Sequence, residues 1–279
     1  MLSVSRIYEK GFDYFMKNII VITGASSGMG KQFAIQISKI EKVDEIWAIA
    51  RDFALLEELK SDIELPVVPL TLDLTLNNDV EIYKNKLEKE KPNVKILVNS
   101  AGFGKFEHSE VTPTIVKQNM IDLNIKAIVS LIDYTLPYMT DGANIVNIAS
   151  CAAFQPIPYI NTYAATKAFV LSYSRALNRE LKYKKIHTLA VCPFWTKTNF
   201  FNRAIDKSKK DVVIKYAAMY EPEMVIKKAI KDMYNTKKDI SVYGFMNNLQ
   251  RFMVKIFPHS FVMNVWIKQQ KLDGTPNIR

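Results

Sequence analysis

A short apolar run near the start of the chain ends in glycines and passes straight into a helix, an arrangement that few folds accommodate. Ile19–Thr23 reads IIVIT, rich in β-branched residues, and is followed by Gly24-Ala25-Ser26-Ser27-Gly28-Met29-Gly30. From Lys31 to Ile40 the apolar residues Phe33, Ala34, Ile37 and Ile40 recur at helical spacing. Glycines at such a junction let the backbone turn tightly and let a pyrophosphate approach. The helix that follows supplies unpaired N–H groups and a positive dipole end. The spacing is Gly-x-x-x-Gly-x-Gly rather than the general Gly-x-Gly-x-x-Gly dinucleotide fingerprint. Gly–Ser loops also serve as plain turns, so the position between strand and helix carries the inference.

The same alternation continues. Strands are expected at Glu45–Ala50, Val67–Leu72, Val94–Asn99, Asn144–Ala149 and Ile186–Cys192. Between them, helices are expected at Leu55–Lys60, Asn78–Glu90, Pro113–Tyr138 and Tyr163–Tyr183. A helix over Pro222–Tyr234 and a seventh strand over Ile240–Tyr243 complete the series. This order predicts an α/β fold, a three-layer, doubly wound parallel sheet of the Rossmann-like kind with about seven strands. No repeat or linker divides the chain, so residues 1–279 are expected to form one domain. Ligands bind such sheets beyond the carboxyl ends of the strands. The mixed, Lys-rich segment 194–222 is therefore expected as a substrate lid, and 245–279 as a C-terminal helical tail.

Polar residues gather at those strand ends. The second strand closes with Ala50 and Arg51, where NAD-type dinucleotide folds carry a carboxylate for the ribose 2′-hydroxyl. A guanidinium in that place accepts a 2′-phosphate, which favours NADP(H) over NAD(H). The alternative is a surface pair between Arg51 and Asp52. Asp73 closes the third strand, Asn99-Ser100-Ala101-Gly102 the fourth and Ser150 the fifth, while Asn124 sits mid-helix in an apolar segment. Each alone is explained by a cap, a turn or a satisfied core group. The helix after the fifth strand opens with Tyr163-Ala164-Ala165-Thr166-Lys167. Residues four apart share a helix face, and an ammonium beside a phenol lowers its pKa from about 10. Tyr-x-x-x-Lys by itself is a common accident in a chain with 13 Tyr, and the surrounding strand ends give it weight.

Together these motifs resemble the short-chain dehydrogenase/reductase family, in the branch with a Thr-Gly-x-x-x-Gly-x-Gly cofactor loop, continuously from Asn18 to Thr198. The resemblance implies an NAD(P)-dependent enzyme acting on CH–OH and C=O groups, with Tyr163 as catalytic acid/base. Lys167 would lower its pKa and hold the nicotinamide ribose, Ser150 would orient the substrate oxygen, and Asn124 would support the proton relay. Gly24, Ser26, Ser27, Gly28, Met29 and Gly30 would cradle the cofactor. Asp73 would meet the adenine, and Asn99, Ala101 and Gly102 would line the pocket, with Thr196 and Thr198 at the nicotinamide end. Two departures stand out: Ser100 replaces a second Asn, and Pro193-Phe194 replaces Pro-Gly, which is expected to restrict the backbone there. The aromatics Phe194, Trp195, Phe200, Phe201, Tyr216 and Tyr220 suggest a bulky apolar substrate, a hydroxysteroid or an acyl chain. The rival function is a catalytically idle NADP-binding regulatory or scaffold protein, to be separated by cofactor oxidation over a carbonyl panel.

The remaining expectations concern surroundings. Lys and Arg exceed Asp and Glu by 38 to 28. The lysines are scattered, so a solvated surface is expected rather than a nucleic-acid site. Cys151 and Cys192 are expected as buried thiols in a reducing cytoplasm, and the three His show no metal-ligand spacing, so no metal is expected. The start MLSVSRIYEK lacks a signal-peptide pattern. MKNIIVITG from Met16 reads as a natural start, which makes residues 1–15 a candidate extension. Phe245, Leu249, Phe252, Ile256 and their neighbours form one apolar helical face. It is expected to pack within the protein or in a homodimer or homotetramer, with peripheral membrane contact as the alternative.

Overall fold

The computed structural model describes residues 16–278. The candidate extension 1–15 lies outside the described residues. Seven strands form one parallel sheet: β1 (Asn18–Thr23), β2 (Glu45–Ala50), β3 (Val67–Thr71), β4 (Asn93–Asn99), β5 (Asn144–Ile148), β6 (His187–Val191) and β7 (Ile240–Ser241). Their order is β3-β2-β1-β4-β5-β6-β7. The winding reverses between β1 and β4, so a crevice opens above the carboxyl ends of those two strands.

Alternation along the strands feeds two cores. Ile19 and Val21 of β1 join Trp47, Leu97 and Ile145 on one face of the sheet, and Ile20 and Ile22 join Ile46, Val98 and Val146 on the other. The second face is covered by α1 (Gly28–Ile37) and α2 (Phe53–Leu59). The first is covered by α3 (Asn77–Glu90) and α5 (Ala127–Thr135), with α4 (Thr114–Ile121) preceding α5 across a turn. α6 (Asn161–Glu180) lies beside them. A short α7 (Phe200–Ala204) follows β6, and α8 (Pro222–Met233) returns to the face that α1 covers. Two terminal helices, α9 (Phe245–Ile256) and α10 (His259–Gln269), close the chain. The three-layer doubly wound sheet expected from the sequence is thus the observed fold.

Several details differ from the periodicity. The helix expected over Pro113–Tyr138 is broken by a π-helical turn at Asp122–Lys126, with Asn124 fully buried at its centre. The break accompanies a contact distant in sequence, in which Asn124 bonds both backbone groups of Phe103. α1 starts at Gly28 inside the glycine loop rather than at Lys31, and Ile40, beyond its end, is exposed. The segment 194–222 is not wholly irregular. It carries α7, and it is pinched shut where Tyr220 N–H donates to Trp195 O and Lys197 N–H to Tyr220 O, each at 2.9 Å.

The short edge strand β7 is held by one carboxylate. Asp232 of α8 accepts from Ser241 Oγ at 2.8 Å and Lys238 Nζ at 2.6 Å, and also pairs with Lys228. Burial pushes its pKa up, but these three donors outweigh that and hold it below the usual carboxylate range. Its stabilisation is therefore present above the unfolded carboxyl pKa of about 3.9 and is lost as pH falls through the lower folded value. Asp232→Asn should cost about 1–3 kcal/mol at pH 7, an estimate moderated by the solvent exposure of both lysines. Urea unfolding should show the variant and wild type converging below pH 4 (about the unfolded pKa).

Candidate active site

The loop after β1 is shaped by what its glycines lack. Gly24 adopts φ 65°, in the left-handed region, with the Ala101 backbone where a side chain would begin. A Cβ on Gly30 would fall 2.2 Å from the Gly24 carbonyl oxygen. Thr23 Oγ1 accepts the backbone N–H groups of Ser100 and Ala101, both at 3.0 Å, and so ties the loop to the end of β4. Ser27 precedes α1 with its side chain making no cap bond, and no acid occupies the first turn of α1. The amides at that helix start are thus free to receive an anion.

This loop forms the floor of a polar cleft of about 360 Å³, walled by Ser26, Ser27, Gly28, Arg51, Asp73, Ala101 and Gly102. Asp52 does not compete for Arg51, because it caps α2 by accepting the Leu55 N–H at 3.2 Å. The carboxylate that faces Arg51 is Asp73, 3.9 Å away. Burial raises the Asp73 pKa, but hydrogen bonds from the Thr75 backbone and hydroxyl outweigh it. With the charges of Arg51 and Arg203, they keep it below the usual range. Arg203 was not anticipated from sequence. It reaches from α7 across the cleft, its guanidinium 3.8 Å over the Phe103 ring. Burial and the neighbouring Arg51 charge lower its pKa, while Asp73 opposes them.

A second cavity, about 340 Å³ and mainly apolar, lies against the first. Ser150, Tyr163, Phe194, Trp195 and Thr196 are in its wall, and Met29, Thr198 and Phe200 belong to both spaces. Thr196, expected beside the cofactor, therefore stands on the apolar side, its hydroxyl donating to Phe194 O at 3.0 Å. Thr198 does face the glycine loop, its methyl 3.2 Å from the position of a Gly28 Cβ. Phe194 has no left-handed φ, so the backbone at this position does not require the glycine it replaces. Over the cavity, Phe106, Trp195, Phe200, Phe201 and Tyr216 pack ring to ring. The Lys209 ammonium, 3.2 Å from buried Glu107, pins this segment down.

Tyr163 is the third residue of α6, and its ring packs against Phe200 at 5.3 Å. Burial pushes the phenol up to about 12, a hydrogen bond with Ser150 draws it back, and the Cys151 and Cys192 thiols add to the rise. Ser150 Oγ also accepts the Ala152 N–H at 3.1 Å, so its own proton remains available to donate. Lys167, one turn along α6, does not dominate the phenol as the sequence suggested. Its ammonium donates to Ile148 O at 2.6 Å and lies 5.8 Å from the Tyr163 ring centre, and burial lowers its pKa to about 8. Asn124 touches neither group. It holds Phe103 and donates to Thr166 Oγ1 at 3.0 Å. Only the bare Cα of Gly102 separates it from Lys167, since a Cβ there would meet Asn124 Oδ1 at 2.9 Å and Lys167 Nζ at 3.5 Å. Asn99 faces inward and donates to Asn147 Oδ1 at 2.8 Å. Both cysteines are free and buried, and burial raises the Cys151 thiol well above its ordinary value.

Residues 18–209 match the family described as short chain dehydrogenase. An NADP-dependent 3-hydroxy acid dehydrogenase of Schizosaccharomyces pombe is 32% identical over 213 residues, covering 73% of this chain and 82% of that protein. A very-long-chain 3-oxoacyl-CoA reductase of Danio rerio is 32% identical over 188 residues, covering 64% of this chain and 59% of the other. Among solved structures, a short-chain dehydrogenase from Sphingobium yanoikuyae in complex with NADPH superposes with a TM-score of 0.72 at 25% identity, covering 88% and 95% of the two chains.

The lowered pKa of Lys167 has a measurable sign. The ammonium persists below about pH 8 and gives up its proton above it, whereas an exposed lysine does so near 10.4 (roughly the model-peptide value). NMR of lysine labelled at the ε-carbon should show one resonance titrating near 8 (about the burial-lowered value) that vanishes in Lys167→Arg. If every resonance titrates in the ordinary range, the buried placement of this ammonium is wrong.

Proposed function

Because the chain belongs to the short-chain dehydrogenase family, we propose that it is an NADP(H)-dependent oxidoreductase interconverting a carbonyl and a secondary alcohol on a bulky apolar substrate. One observation carries this reading. The polar cleft and the apolar cavity share Met29, Thr198 and Phe200, and Ser150 and Tyr163 belong to the cavity wall. A dinucleotide lying along the cleft would reach the cavity at that junction.

The residues present fit such a cofactor. The cleft wall at Gly24, Ser26, Ser27 and Gly28, with the free amides of α1, suits a pyrophosphate. Arg51 and Arg203 suit a 2′-phosphate, and Asp73, Ala101 and Gly102 line the adenosine side. When bound, the nicotinamide supplies or accepts the hydride. The protein's part is to hold the carbonyl and move its proton. A ketone oxygen would accept hydrogen bonds from Ser150 Oγ and Tyr163 Oη. As negative charge grows on that oxygen, the Tyr163 O–H bond breaks and the proton passes to it, leaving a phenolate. A phenol with a pKa near 12 is fully protonated at neutral pH and therefore begins as the acid that reduction needs. The Lys167 ammonium, fixed on Ile148 O, is the nearby positive charge that favours the phenolate as it forms. Positioning and this oxyanion stabilisation are the main sources of acceleration.

The substrate class follows from the cavity. Its volume, about 340 Å³, is that of a small-ligand pocket. Its wall of Phe106, Ile157, Ile160, Trp195, Phe261 and Trp266 offers few polar groups. The S. pombe and D. rerio relatives are named for 3-hydroxy acids and very-long-chain 3-oxoacyl-CoA, which supports an acyl-chain carbonyl over a sugar.

Tyr163→Phe removes the hydroxyl that carries the transferable proton and its hydrogen bond with Ser150. It is expected to lower turnover at least 100-fold, within the ~10²–10⁴ range of general acid catalysis, with NADPH binding by fluorescence titration nearly unchanged. Turnover close to wild type would refute the assignment. The two arginines make a separate forecast. Arg51→Ala and Arg203→Ala should each weaken NADPH binding about tenfold, the loss of one charge-assisted bond. NADH binding should change little. Equal losses for both nucleotides would rule out a 2′-phosphate clamp.

A further inference from the structure

α9 buries one polar residue, Asn247, on its inner side, while Asn248 and Lys255 stay exposed. Asn247 is fully buried, accepts the Cys151 thiol, and donates to Tyr243 O at 3.0 Å, and Val254 is buried on the same side. The apolar residues face out: Phe245 is 79% exposed, Phe252 60% and Ile256 59%, and on α10 Phe261 is 52% and Val265 48% exposed. Of the packings expected for this face, the one within the chain is not observed for Phe245, Phe252 and Ile256. The buried amide contacts of Asn247 hold the helix with these residues outward. Phe257 and Phe261, with ring centres 5.1 Å apart, join the two helices into one apolar ridge. A contiguous exposed surface of this kind marks an interaction site.

Charge selects the partner. From Phe245 to Leu272 the chain holds Arg251, Lys255, Lys268 and Lys271 and not one Asp or Glu. No ion pair among the described residues engages these four cations. A second copy docked face to face would bring cation against cation with no acid in the segment to relieve it. An anionic lipid surface is complementary to both features, because headgroups meet the lysines while the ridge enters the acyl boundary. No helix among the described residues is long and apolar enough to cross a membrane, so α9 and α10 would lie in the interface plane. Met253, Phe257, Phe261 and Val265 belong at once to this exposed surface and to the wall of the apolar cavity. The ridge is therefore also the rim of the cavity.

We propose that α9 and α10 dock the protein on an anionic bilayer, and that an apolar carbonyl substrate enters the cavity from the lipid. The docking stands on the surface alone, while the entry route also rests on the function proposed above. The test is co-sedimentation of the full chain with phosphatidylcholine vesicles, with and without phosphatidylserine. The protein should sediment with the anionic vesicles and be released by high salt. Phe252→Glu with Ile256→Glu, and separately Lys255→Glu with Lys268→Glu, should each weaken binding at least about tenfold, because the first pair puts charge into the apolar ridge and the second reverses two headgroup contacts. Both should leave NADPH consumption with a short, water-soluble ketone unchanged, which shows that they fold. Protein that stays in the supernatant with the phosphatidylserine vesicles would overturn the docking. So would a concentration-dependent dimer that Phe252→Glu with Ile256→Glu dissociates. Vesicle binding without turnover of any carbonyl would keep the docking and remove the entry route together with the proposed reaction.

Discussion

The position of α6 against the sheet is the constraint from which the site follows, and a buried chain of polar side chains sets it. Asn99 at the end of β4 donates to Asn147 on β5, which donates to Ser174 on α6 at 2.9 Å. About two turns earlier, Thr166 accepts from Asn124 in the π turn, and Lys167 bonds Ile148 O at the end of β5. Each bond adds only about 0.5–1.5 kcal/mol net, but leaving one buried partner unpaired costs about 1–3 kcal/mol. Sliding or rotating α6 by one residue would break all of them together. Apolar packing alone tolerates small shifts, whereas these bonds fix the register, and with it the reach of Tyr163 toward Ser150.

The same arrangement accounts for the acid–base properties of the pair. Enclosure raises the phenol and lowers the ammonium, so both groups move toward their neutral forms. A spacing of four residues suggested a phenol pulled down by a neighbouring charge. The folded chain instead gives that charge a carbonyl to hold and leaves the phenol protonated. The difference arises because desolvation depends on what surrounds the helix, which the spacing does not contain.

Much of the architecture was nonetheless legible. Glu45–Ala50 matches β2 to the residue, and the glycine loop, Ser150, Tyr163 and Thr198 converge as their strand and helix positions implied. Local periodicity sufficed there because alternation and glycine geometry are properties of neighbouring residues. Three features depended on distant contacts and were not legible. Asn124 breaks its helix because the Phe103 backbone, far away in the chain, offers it two bonds. Arg203 joins the cleft because α7 folds across it, and a lone Arg in a Lys-rich segment gives no signal of that. The apolar face of α9 was visible, but its outward direction is fixed by Asn247. A polar residue among hydrophobes would ordinarily be assigned to solvent.

The polar cleft and the apolar cavity meet at Met29, Thr198 and Phe200 beside Tyr163, where the proposed reaction would pass hydride and proton to one carbonyl. Isotope transfer tests it most directly. The enzyme would be given NADPH carrying deuterium at the transferable position of nicotinamide C4, together with an apolar 3-oxoacyl substrate, and the product analysed by mass spectrometry and NMR. The prediction is one deuterium on the carbinol carbon of a single stereoisomer. Nucleotide that binds without any label reaching an alcohol, across a panel of apolar ketones, would contradict it.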